Sequence, residues 1–150
     1  MKNLNLTLLA LFILLTSGNV AFSQNKGVFG KWVTIDDETN EKKSVVEIYE
    51  RNGKVYGKII KLYRKPGEDP DPVCDDCDDD DPRYMKKIIG MEIMTDMEKD
   101  GDEYSDGEIL KPDEGKVYDC TIWRDGANLK VRGYILFLYR TQMWLPYVEE

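Results

Sequence analysis

The sequence contains no histidine, and that absence alone removes much of the chemistry open to a chain of 150 residues. Ser-His and Cys-His nucleophile pairs are excluded, and so are metal sites built on imidazole. Positive charge is scarce as well: 21 Lys and Arg stand against 29 Asp and Glu, a formal charge of −8. That sign opposes the phosphate-neutralising surface of a nucleic-acid binder, so no nucleic-acid partner is expected. Long apolar runs are missing too. The longest, Leu6 to Leu15, covers ten residues with Thr7 inside it, half of the roughly 20 that a membrane-spanning helix needs. The length allows one domain with a real core and leaves no room for two.

The apolar run has telling neighbours. Lys2 supplies a positive start, and Ala21-Phe22-Ser23 places small residues at the −3 and −1 positions of a cleavage site. This three-part pattern predicts a secretory signal peptide over residues 1–23, cleaved before Gln24. The first cysteine is Cys74, so no thiol near the cleavage site can take a lipid. The expected product is a soluble, exported domain of residues 24–150, neither lipid-anchored nor membrane-spanning.

Charge is unevenly spread along that domain. Removing residues 1–23 takes away one Lys, leaving 20 basic and 29 acidic side chains. Nine of the acids fall between Glu68 and Asp81 with no base among them. Setting those nine aside leaves 20 of each sign, so the net charge belongs to one loop on a balanced body. Lys61, Arg64 and Lys65 precede the stretch, and Arg83, Lys86 and Lys87 follow it; the whole acidic loop is placed at 64–87.

The body reads as all-β. Short β-rich runs cover Val28 to Ile35, Ser44 to Glu50, Lys54 to Tyr63 and Ile88 to Met97. Further runs cover Glu103 to Leu110, Lys116 to Arg124, Asn128 to Leu136 and Tyr139 to Val148. Asn52-Gly53 predicts a tight hairpin, because both residues tolerate positive φ. Asp100-Gly101-Asp102, Pro112 to Gly115 and Asp125-Gly126 are the other strong turns. No amphipathic segment is long enough for a core helix. About eight strands in sequential hairpins predict an antiparallel up-and-down β-barrel, with a sandwich as the alternative. Closure would hide both edges and leave room inside for one small ligand.

Phe29-Gly30-Lys31-Trp32 is similar to the Gly-x-Trp signature that opens lipocalins and related calycins. That resemblance gives Gly30 and Trp32 a structural role at a closed barrel end. It also implies an Arg from a late strand stacked on Trp32, for which Arg140 and Arg132 are the candidates. A longer ordered set resembles the exported bacterial family known as domain of unknown function 2147. It includes Val46-Glu47-Ile48-Tyr49, Asn52 to Ile59, Asp71 to Cys77, Gly115 to Cys120, Leu129 to Ile135 and Arg140 to Trp144. The resemblance implies a lipocalin-like barrel in the periplasm of a Gram-negative bacterium, and it implies no established activity. Two departures from the family pattern stand out. Asp78 to Asp81 replaces a more basic stretch, and Leu136 and Tyr139 stand near where glycines are expected.

Candidate sites follow from residue type. In an exported chain Cys74-x-x-Cys77 favours a structural disulfide over zinc or redox chemistry, since acidic surroundings disfavour a thiolate. Cys120 alternates in phase with Tyr118 and Ile122, so it is expected to point inward; a link from it to one of the pair is the alternative. The acidic loop reads as a solvated segment, with calcium binding as the competing reading. Asp96 to Asp102 mimics the start of a calcium loop, but Gly107 stands where a Glu is required, so it reads as a hairpin turn and no metal site is assigned. Aromatic residues on the predicted strands suggest a ligand-lining set: Tyr49, Tyr56, Tyr118, Trp123, Tyr134 and Trp144, with Arg132 or Arg140 to meet an anionic end. Ordinary barrel packing is the competing role for the same rings.

Three readings of function result. The first is a non-enzymatic binding protein holding a small lipophilic or amphipathic molecule, with no cofactor. The second is a cell-envelope interaction module that docks a protein partner through residues 68–81. The third is a hydrolase with paired carboxylates, for which no convergent pair is marked.

Overall fold

The computed structural model describes residues 27–149. The leader expected over residues 1–23 lies outside the described residues. Eight strands follow in order: β1 (Gly30–Ile35), β2 (Lys42–Arg51), β3 (Lys54–Leu62), β4 (Glu92–Asp100), β5 (Glu103–Lys111), β6 (Lys116–Asp125), β7 (Asn128–Ile135) and β8 (Leu138–Pro146). Each is antiparallel to its neighbours in sequence, and β8 returns to β1, giving a closed barrel in the order β1 to β8. The expected all-β, up-and-down barrel is the observed fold. No helix is present among the described residues.

The turns follow the local chemistry. Asn52 and Gly53 both adopt positive φ, 54° and 78°, as a tight hairpin requires. Gly101 and Gly126 take the same left-handed conformation in the β4–β5 and β6–β7 hairpins. The stretch Ile88 to Gly90 differs from expectation. It lies outside the sheet, because Gly90 turns the chain at φ 91° and β4 begins only at Glu92.

Alternation decides what faces inward. Trp32, Val46, Ile48 and Val55 on β1 to β3 and Cys120, Ile122, Leu129, Val131 and Trp144 on β6 to β8 share one buried cluster. The alternation fails at Ile59-Ile60, and the register shows why. Val46 pairs with Ile59 while Val45 pairs with Lys61, so Ile60 is the extra residue of a β-bulge. Beyond it, Leu62 pairs with inward-facing Ser44, and the apolar face is recovered.

Hairpin geometry gives the barrel two distinct ends. The β2–β3, β4–β5 and β6–β7 turns lie at one end. The β1–β2 turn, the long segment 63–91, the β5–β6 turn and the β7–β8 turn lie at the other. The first end is closed by residues before β1. Val28 is buried, its carbonyl accepts a hydrogen bond from Trp32 Nε1 at 2.8 Å, and Phe29 meets the Tyr104 ring of β5 edge-on. Arg124 lies over the Trp32 ring, 4.7 Å from its centroid. The expected partners Arg140 and Arg132 are displaced by Arg124 for reasons of phase. Arg124 continues the inward series Cys120, Ile122, whereas Arg132 is outward and Arg140 stands near the opposite end. The Arg124 Nε is buried with no hydrogen-bond partner, so the ring face is its principal compensation.

Candidate functional site

Above the packed closed half, the inward positions become smaller or more polar. Thr34 follows Trp32 on β1, Ser44 precedes Val46 on β2, Gly133 follows Val131 on β7, and Gln142 precedes Trp144 on β8. The result is a cavity of about 770 Å³ at the end of the barrel that carries the long segment. Its floor is apolar, formed by Ile59, Ile93, Leu110, Val131 and Trp144. A hydrophobic floor of that volume fits a single small molecule.

The mouth is polar and internally paired. Arg140 and Gln142, inward on β8, both reach Asp37 in the β1–β2 turn, at 3.1 and 2.5 Å. Gln142 in turn accepts a hydrogen bond from Trp144 Nε1 at 3.3 Å. Lys43 contacts Asp113 at 2.6 Å and Asp36 at 4.0 Å. Lys111 pairs with Glu114, which also accepts from the Tyr118 hydroxyl at 3.0 Å. The hydrogen bond between Lys111 and Glu114 raises the lysine pKa and lowers that of the carboxyl. Burial, then the bond to Glu114, raises that of Tyr118. Deeper, Thr34 and Ser44 share a buried hydroxyl–hydroxyl hydrogen bond of 2.7 Å. These rim carboxylates are thus held against cations rather than against one another.

The seam beside this mouth is short. β8 meets β1 through Trp32↔Pro146 and Val33↔Leu145, whereas β7 and β8 pair from Leu129↔Trp144 to Ile135↔Leu138. On its other side β1 pairs with β2 as far as Ile35, with a register shift at Thr34/Ile35. Above it, the contacts of Asp37 with Arg140 and Gln142 bridge the two sides.

The ligand-lining set expected from aromatic content is only partly brought together. Tyr118, Arg140 and Trp144 line the cavity. Tyr49, Tyr56, Trp123, Arg132 and Tyr134 do not, because each occupies the outward phase of its strand. Tyr49 and Tyr56 are cross-strand partners with stacked rings 6.2 Å apart. Tyr49 donates to Glu92, which Arg51 also grips, and Tyr56 donates to Asp96. Burial, then the bond to Glu92, pushes the Tyr49 phenol up to about 12. Arg132 lies over Trp123 and Tyr139, 4.8 and 4.4 Å from the ring centroids, and donates to Thr141. Tyr134 is paired with Asp119 and Tyr139. Asp37, Thr34, Ser44, Gly133 and Gln142 are not singled out by aromatic content. Counting by twos from the buried anchors Trp32, Val46, Val131 and Trp144 finds all but Asp37.

The acidic loop is tethered. Cys74 and Cys77 form a disulfide, both side chains are buried, and Cys74 Sγ lies 3.5 Å from the Pro112 carbonyl oxygen. A bridge between Val73 and Lys87 closes the loop on itself. Gly115 presses so closely against Asp76 that a Cβ there would sit 1.6 Å from the Asp76 carbonyl oxygen. Asp71 pairs with Lys87, Asp81 with Arg83, and Glu68 with Arg64. Asp75, Asp76 and Asp78 to Asp80 remain exposed. No group of acids and cysteines suited to a metal is found among the described residues. Cys120 is inward, buried and free, and burial pushes its thiol up to about 12, far from a reactive thiolate.

Residues 30–145 match the family described as "Uncharacterized protein conserved in bacteria (DUF2147)". The chain belongs to this family. The DUF2147 barrel is similar in structure to a protein from the human pathogen Helicobacter pylori described as belonging to the lipocalin family. The TM-score is 0.67 at 19% sequence identity, covering 80% of this chain and 82% of that one. At that identity the likeness is one of fold: this is a lipocalin-like barrel. No curated protein sequence matches the chain.

Proposed function

We propose that this DUF2147 protein is an exported, non-enzymatic binding protein that holds one small amphipathic or lipophilic molecule in the open half of its barrel. The observation that carries the reading is the cavity, about 770 Å³ with an apolar floor and a hydrogen-bonding mouth. An apolar body on Val131, Ile59 and Trp144, with a polar head at Arg140, Gln142 and Tyr118, matches that division. The same division supports binding over turnover, because Asp36, Asp37, Asp113 and Glu114 at the mouth are engaged with Lys43, Arg140 and Lys111. Export to the periplasm is supported by the predicted leader, residues 1–23, and by the Cys74–Cys77 disulfide, which belongs in an oxidising compartment.

Native mass spectrometry of protein recovered from an exporting host tests both parts. The expected spectrum shows a polypeptide beginning at Gln24 with a lipid-sized adduct that organic solvent strips away. Ligand-free spectra, together with no saturable uptake of a fluorescent fatty acid by solvent-stripped, refolded protein, would reject the binding reading.

A further inference from the structure

The β7–β8 hairpin breaks a local rule. The other two-residue hairpins give the left-handed position to Asn52, Gly53, Gly101 or Gly126, whereas here Leu136 occupies it at φ 55°. A branched apolar side chain is a poor choice for that conformation, which favours Gly, Asn and Asp. The residues around it are no better suited to water. Ile135, Leu136, Phe137, Leu138 and Tyr139 are five consecutive large apolar residues, with Leu136 91% and Phe137 87% exposed. A run that is costly both for the turn and for solvation marks an interaction surface rather than a packing accident.

We propose that this hairpin tip docks the protein on a lipid bilayer by inserting Leu136 and Phe137 among the acyl chains. Shape favours that occupant, since a protruding two-residue tip needs no complementary pocket in a fluid layer. The base of the hairpin is suited to the headgroup level. Tyr134 and Tyr139 stand together there, ring centroids 6.1 Å apart, with the Arg132 guanidinium over Tyr139. Tyrosine and arginine of this kind, an apolar body with a polar tip, partition to the membrane interface.

The tip is also continuous with the cavity. Ile135, Leu138 and Tyr139 belong to the cavity wall, so an inserted tip brings the mouth to the bilayer surface. A second copy is a poorer occupant. Tip and cavity lie at the same end of the barrel, so mutual insertion would set two acidic segments face to face, and each copy without residues 1–23 carries 29 acidic against 20 basic side chains. Charge further specifies the bilayer. Asp36, Asp37, Glu38, Asp113 and Glu114 on this rim are answered by Lys43, Arg64, Lys111 and Arg140. The exposed Asp75, Asp76 and Asp78 to Asp80, however, belong to the long segment at the same end, so docking is driven by apolar insertion and favours a zwitterionic surface over an anionic one.

Docking stands on the exposed tip alone, while the passage of a lipid from bilayer to cavity would rest on the binding reading above. Co-flotation with phosphatidylcholine vesicles, using protein whose mass confirms loss of the leader, measures docking without reference to the cavity. Wild type is expected to float with the vesicles, and less well when phosphatidylglycerol is added. The double variant Leu136→Asp, Phe137→Asp should lose at least tenfold in partitioning while keeping its thermal midpoint, since both side chains are solvent-exposed. A Phe137→Trp variant should shift its emission to the blue on vesicles and be quenched by brominated acyl chains. Equal flotation of wild type and double variant, no flotation of either, or a Phe137→Trp emission unchanged by vesicles would overturn the proposal. So would a tip-dependent dimer in sedimentation velocity that persists when vesicles are added.

Discussion

The two ends of this barrel are built by the same strands with the same alternation, yet one is filled and the other hollow. At the closed end the inward positions carry Trp32, Ile48, Met97, Ile122, Arg124 and Leu129, and the chain before β1 is laid across the opening. At the open end the same faces carry Thr34, Ser44, Gly133 and Gln142, and the volume they leave is the cavity. Packed core and open volume are therefore separated along the barrel axis. Side-chain volume, not backbone geometry, makes the division.

The closed end should give the largest loss when damaged. Trp32→Ala removes a buried ring, its hydrogen bond to Val28 and the support of Arg124. Urea unfolding should show a loss of about 3–5 kcal/mol; a loss below about 1 kcal/mol would mean that this end is not the stability centre. Next comes the tether of the acidic loop. Replacing Cys74 and Cys77 together by Ser should cost about 2 kcal/mol, because the closed loop is very short and constrains the unfolded chain little. Ligand uptake should persist, since neither cysteine lines the cavity.

The open end should behave in the opposite way. Gly133→Leu puts a side chain into the cavity beside Tyr118, with ordinary contact at the Cβ. It should change stability by less than about 1.5 kcal/mol and cut uptake of a fluorescent fatty acid by at least tenfold. A full-strength binding isotherm in this variant would show that the ligand lies elsewhere.

The smallest effect belongs to the outer wall, where Arg51 and Tyr49 hold Glu92. The bond from Arg51, with help from Tyr49, lowers the Glu92 pKa below its ordinary value of 4.5. Unfolding releases that depression. The pair's contribution is thus fully present above 4.5 and fades as pH falls through the lower folded value. Glu92→Gln should cost under about 1 kcal/mol at pH 7, given its partial exposure. The gap from wild type in thermal midpoint should narrow as acid is added below about pH 4. A gap independent of pH would place the contribution in packing rather than charge.

Much of the architecture is legible along the chain. Turn residues at Asn52-Gly53, Asp100 to Asp102 and Asp125-Gly126 mark the hairpins, because positive φ restricts which residues can stand there. Alternation places Cys120 inward with Tyr118 and Ile122. The site is less legible, and the reason lies in particular residues. Tyr49, Tyr56, Trp123 and Tyr134 have the right chemistry for a lining but the wrong phase, and residue type alone does not carry phase across a bulge such as Ile60. Arg124 is available from the series Cys120, Ile122, and its partner Trp32 is known only once the ends of the barrel are assigned.

Eight strands, their hairpin order, the cysteine pair and the address of the negative charge all depend on neighbours along the chain, so the order of residues is enough to set them. Which guanidinium covers Trp32, and which carboxylate meets Arg140, was left to the folded barrel. So were the place where the interior stays unfilled and the position of an apolar turn beside the opening. Those outcomes depend on closure, which brings β8 back to β1 and sets side chains more than 100 residues apart, such as Asp37 and Gln142, within hydrogen-bonding distance.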